Sequence, residues 1–134
     1  MADSLSYTVI VRCGPHQQAA ARTAFEFTCE VINQGHHLVR VFFYQQGVYL
    51  ASSLRVAPQG ELNLTSQWQQ LNKDSGVELA VCIAGAIQSG IVDNAERERY
   101  DLDAANLASG FSLVGLGQLV SASVESDRLV SFGG

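Results

Sequence analysis

Residues 5–44 run strand, helix, strand, and that order constrains the fold more than any other feature of the chain. Leu5 to Cys13 (LSYTVIVRC) reads as a strand ended by Gly14-Pro15. From Pro15 to about Gln34 the pattern is helical. Proline suits a first turn, Ala21, Phe25, Cys29 and Ile32 recur at helical spacing, and Gly35 stands where a C-cap glycine is expected. His37 to Tyr44 (HLVRVFFY) is rich in β-branched and aromatic residues, the composition of a second strand. Such a unit closes through a right-handed crossover onto parallel strands.

The alternation continues. Gln45 to Ser53 reads as an ordered loop or short helix, and Pro58-Gln59-Gly60 marks a turn. Leu62 to Asp74 reads as a helix carrying Trp68 and Leu71, ended by Ser75-Gly76. Val77 to Ala84 is an apolar run bounded by glycine, the signature of a buried strand in a parallel sheet. Ile91 to Gly110 is polar, a short helix plus loop; Phe111 to Val114 is a short strand, Gly117 to Glu125 a helix and Arg128 to Phe132 a last strand. Strands alternating with helices predict one domain over residues 1–134, a three-layer α/β/α sandwich with a mainly parallel sheet.

Composition narrows the function. Only 16% of the 134 residues are charged, against about 25% in an average domain, so part of the surface is expected to be covered by other subunits. A net charge of −5 with no Lys/Arg cluster excludes tight autonomous nucleic-acid binding. Three cysteines without a CxxC pair argue against a disulfide framework and a zinc site, and no cofactor is expected. Met1-Ala2-Asp3-Ser4 is not a basic leader, and no apolar run reaches the roughly 18 residues of a membrane span, so a cytoplasmic protein is expected. Asn63-Leu64-Thr65 matches a glycosylation sequon only by chance.

Cys82 closes the Val77–Ala84 run, and the small residues Gly85-Ala86 follow. In open parallel sheets, chemistry gathers just outside the carboxyl ends of the strands, where the next helix starts. A thiol there faces the positive end of a helix dipole, which favours the thiolate. Two readings of Cys82 stand: a nucleophile, or a small buried hydrophobe. Cys29 falls on the apolar stripe of the first helix and reads as core. Cys13 also ends a strand, with His16 near enough in sequence to pair with it. The rings of His36 and His37 point to opposite faces of an extended chain, poor geometry for one metal. Gly115-Leu116-Gly117 opens like a dinucleotide fingerprint, but Val120 occupies the third glycine position. Glu96-Arg97-Glu98-Arg99 reads as a solvated face.

Several segments, in order, resemble the DsrE/TusD family of small sulfur-relay proteins. They are Val41-Phe42-Phe43-Tyr44 with Gly47-Val48-Tyr49, Trp68-Gln69-Gln70-Leu71-Asn72, and the Cys82 strand leading to Gly90-Ile91-Val92-Asp93. Gly110-Phe111-Ser112-Leu113, Gly115-Leu116-Gly117-Gln118-Leu119 and Asp127-Arg128-Leu129-Val130-Ser131-Phe132 complete the set. The resemblance implies a persulfide carrier with Cys82 as the sulfur-bearing residue and neither metal nor organic cofactor. It implies a heterohexamer with TusB-like and TusC-like subunits, a TusA-like donor, a TusE-like acceptor, and a relay ending in 2-thiouridine at a tRNA wobble position. Two alternatives share it: a DsrE-like carrier of dissimilatory sulfur oxidation, and a non-catalytic structural subunit. The family's basic pair after the cysteine is replaced here by Gln88 and Ser89, and Cys13 is a further departure.

Overall fold

The computed structural model describes residues 3–133, so Met1 and Ala2, on which part of the leader reading rests, lie outside the described residues. Among the described residues five strands are present: β1 (Ser6–Val11), β2 (His37–Phe43), β3 (Leu79–Cys82), β4 (Phe111–Val114) and β5 (Arg128–Phe132). Between them lie α1 (Gln18–Asn33), a 3-10 helix (Gln45–Ala51), α2 (Leu64–Ser75), α3 (Ile83–Gln88), α4 (Asn94–Arg99) and α5 (Gly117–Glu125). The strands form one sheet in the order β4-β3-β2-β1-β5, and every neighbouring pair is parallel. The expected α/β/α sandwich is the fold.

Side-chain alternation along β1 shows how the layers are filled. Tyr7 meets the ring of Phe27 on α1, whereas the next residue, Thr8, donates its hydroxyl to the Ala122 carbonyl of α5. One face of the sheet therefore packs on α1 and the other on α5. β3 is buried along its whole length, which is why its sequence is a continuous apolar run rather than an alternating one. Trp68 of α2 is fully buried and makes edge-on contacts with Phe25 of α1 and Phe43 of β2, tying two helices to the sheet.

α2 is set by its ends. Asn63 accepts the Ser66 N–H at the N-cap, and Gly76 takes a left-handed conformation (φ 72°) at the C-cap. The apparent sequon is thus a helix start, with Thr65 buried beneath it.

α1 departs from expectation in two ways. It begins at Gln18, because Gly14 and Gln17 close a turn first: the Gly14 N–H donates to the Gln17 side chain and the Gln17 N–H to the Gly14 carbonyl. Its buried stripe is Ala21, Ala24, Thr28 and Val31, so Cys29 is half-buried on the flank and stands outside the core.

Candidate functional site

Cys82 occupies the position the sequence assigns it, as the last residue of β3 and the N-cap of α3. Its backbone (φ −58°, ψ 114°) is not helical, and helix begins at Ile83. The thiol makes no capping hydrogen bond; its sulfur lies over the first turn of α3, 3.8 Å from where a Cβ on Gly85 would stand. A Cβ at Gly85 would also stand 3.5 Å from Val48 Cγ1 of the 3-10 helix, so that helix borders the thiol's turn. Cys82 pairs in register with Val114, the end of β4, and the chain beyond Val114 is open: a Cβ at Gly115 or Gly117 meets no atom within 4 Å. The residue itself is only 3% exposed.

The 3-10 helix is held by a close approach. A Cβ at Gly47 would stand 1.9 Å from the Val11 carbonyl oxygen, so only glycine lets the helix sit on the end of β1. The sequence gives Gln45 to Ser53 as ordered loop or short helix without showing that Val48 flanks the thiol. Gly47 was the available signal, since glycine marks close backbone approach.

The other sequence candidates separate. Cys13 is fully buried, and burial pushes its thiol pKa up, outweighing a backbone hydrogen bond and the Arg12 charge. His16 is exposed, and no hydrogen bond joins it to Cys13 among the described residues. The Cys29 thiol is also pushed up, first by desolvation and then by Glu26 and Glu30. His36 is tied into the fold: its Nδ1 accepts the Leu5 N–H at 2.9 Å and its ring packs edge-on to Tyr7. These two histidines lie at the amino end of the sheet, away from Cys82. Among the described residues no group of three His, Cys, Asp or Glu side chains is placed to hold a metal.

The Glu96–Arg99 segment corrects the expected solvated face. Glu96 is 8% exposed, while Glu98 and Arg99 face solvent. Asp93 caps α4 by accepting the Glu96 N–H at 2.9 Å, and Glu96 Oε2 is buried without a hydrogen-bond partner among the described residues.

The fold is that of a parallel α/β protein, and residues 5–132 match the DsrE/DsrF-like family, so the chain belongs to it. It is 42% identical over 129 residues to a "Sulfurtransferase TusD homolog" of Vibrio vulnificus strain YJ016, covering 96% of this chain and 98% of that protein. It is 41% identical over 128 residues to "Sulfurtransferase TusD" of Salmonella arizonae, covering 96% of this chain and 100% of that protein. Its fold resembles the crystal structure of the ychN protein from E. coli, with a TM-score of 0.71 at 16% identity over 97% of this chain and 100% of that one.

Proposed function

We propose that this chain is a sulfurtransferase that carries persulfide sulfur on Cys82. The observation that supports this most is the placement of one cysteine at the β3–α3 junction, unbonded and beside a bare glycine turn, in a chain similar throughout to TusD sulfurtransferases. The Cys82 thiolate attacks the terminal sulfur of a donor persulfide, R–S–SH. A new S–S bond forms to Cys82, the donor's S–S bond breaks, and the donor leaves as its thiolate. An acceptor thiolate then attacks the terminal sulfur of Cys82–S–SH and releases the Cys82 thiolate. No net oxidation occurs, and the proton on the terminal sulfur travels with it. Neither step needs a metal or an organic cofactor.

We infer further, from the family resemblance of the sequence, that the relay comprises TusB-like and TusC-like subunits, a TusA-like donor, a TusE-like acceptor and tRNA 2-thiouridine as the end product, in the cytoplasm. The net charge of −5 suits a carrier that meets proteins rather than RNA. Among the described residues no helix is long and apolar enough to cross a membrane.

A second reading, a structural subunit with an inert thiol, draws on the 3% exposure of Cys82. One experiment separates the two. Sulfur-35 loading from a desulfurase and a TusA-type donor, resolved by non-reducing electrophoresis, should label the wild type and leave Cys82→Ser unlabelled. Wild-type labelling of Cys82→Ser would sink the first reading; an unlabelled wild type would favour the second.

A further inference from the structure

Several exposed apolar side chains gather around a single arginine, Arg55. Leu54, Val56 and Leu62 are 74%, 88% and 68% exposed, and they border two adjoining recesses that share Pro15 and Arg55. The larger recess, about 580 Å³, is also lined by His16 and Tyr49. Arg55 is half-buried, and its NH1 donates to Thr65 Oγ1 at 3.2 Å. The two ion pairs among the described residues join Arg40 to Glu78 and Arg99 to Glu96, so Arg55 has no paired carboxylate. Glu61 lines the smaller recess with Arg55 and does not ion-pair with it. Burial alone depresses the guanidinium's pKa, the mark of a cation short of a counter-charge.

A half-buried cation without its anion, ringed by exposed aliphatic side chains, is an incomplete interface. Arginine and tyrosine are the side chains that anchor protein interfaces, and large exposed aliphatic groups gathered in one place mark contact surfaces. The charge narrows the occupant. Arg55 lines both recesses without a carboxylate partner among the described residues, so the complementary group on a partner is a carboxylate. We propose that this recess is a docking seat for a partner protein: a glutamate or aspartate carboxylate pairs with Arg55, and the apolar residues on either side of it pack on Leu54 and Val56.

The seat and the sulfur site share a wall. Tyr49 and Gln46 of the 3-10 helix line the recess, while Val48 of the same helix closes on Gly85 beside Cys82. A partner held at the recess is therefore positioned relative to Cys82 by one short helix seated on β1. That last connection rests on the sulfur-transfer reading; the seat itself does not.

The test is a nitrogen-15 NMR titration of the full chain with three probes: acetyl-Leu-Glu-Leu-amide, acetyl-Leu-Gln-Leu-amide and sodium acetate. The glutamate peptide should shift the amides of Tyr49 and residues 54–56 saturably. The glutamine peptide should bind at least tenfold more weakly, and acetate should not saturate in the same range. Leu54→Asp, at a position too exposed to perturb folding, should weaken the glutamate peptide at least tenfold, and Arg55→Lys should keep part of the binding. Equal binding of the two peptides, saturation by acetate at the same concentration, or shifts only elsewhere would each overturn the proposal. Cys82→Ser should titrate like the wild type, so a failure of sulfur loading and a failure of docking remain separate results.

Discussion

The sulfur of Cys82 lies 3.8 Å from the point where Gly85 would carry a Cβ, so the turn beside the thiol is kept bare. A methyl group there would meet Val48 Cγ1 at 3.5 Å and the sulfur at 3.8 Å, both ordinary contact distances. The fold tolerates it, but space beside the thiol is lost.

Gly85→Ala should therefore separate stability from chemistry. Alanine favours a helix over glycine by about 0.8–1 kcal/mol, so the melting temperature should hold or rise. Sulfur loading should slow by about tenfold, the effect of roughly 1.4 kcal/mol of added barrier, because a second sulfur atom competes with the methyl group. Unchanged loading would show that the incoming sulfur approaches from another side, such as the open Gly115–Gly117 turn.

Two of the three thiols should resist alkylation to different degrees. Cys13 is fully buried and its pKa is raised, so in the folded protein iodoacetamide at neutral pH should leave it intact. Cys29 is half-buried with its thiol pushed up by desolvation, Glu26 and Glu30, and should react slowly. Because Cys29 stands outside the core, Cys29→Ser should cost no more than about 1 kcal/mol rather than the penalty of a core hydroxyl. Peptide mass mapping after timed alkylation, with thermal melts of the serine variant, checks both. Rapid modification of Cys13 in folded protein would contradict its placement.

Much of this was legible in the sequence because the central strands β2 and β3 carry apolar runs, as strands covered on both faces do. The bounds of α5 and β5 agree with the sequence reading to the residue. Cys82 was legible because an apolar run ending in cysteine and followed by glycine marks a strand's carboxyl end. The stripe of α1 was not. Thr28 is buried with its hydroxyl bonded to the Ala24 carbonyl at 2.8 Å, so a polar residue occupies the core face without cost to periodicity. A search for apolar spacing passes over it and selects Cys29 one position on. Arg55 escaped notice for a different reason: it lies in an irregular segment, where no period shows which way a side chain points. Glu96 was hidden among charges whose neighbours do face solvent.

Gly47→Ala should disrupt the site from a distance. The new Cβ would stand 1.9 Å from the Val11 carbonyl oxygen and 2.8 Å from its carbon, and both are backbone atoms that cannot swing away. The 3-10 helix must lift off β1, at a cost of about 1–3 kcal/mol. Lifting it also withdraws Val48 from the Cys82 turn and Tyr49 from the recess. Lower melting temperature together with reduced sulfur loading is expected; an unchanged melt would show that the backbone absorbs the methyl group.

Asp127 should give the fold part of its acid sensitivity. Its carboxylate accepts hydrogen bonds from the Ser6 N–H at 2.9 Å and the Ser6 hydroxyl at 3.1 Å, fastening the start of β5 to the start of β1. The backbone bond, then the hydroxyl, hold its pKa below the ordinary carboxylate value, with Arg128 adding to the effect. A carboxyl whose pKa is depressed by folding contributes stability above its unfolded pKa of about 3.9, and loses it as the pH falls through the lower folded value. Asp127→Asn should thus lower the melting temperature by a constant amount from neutral pH down to about 5, with the gap closing below about pH 4. Melts of both proteins across that range check it. A gap that stays constant to the lowest pH would show that the amide differs from the carboxylate for reasons other than charge.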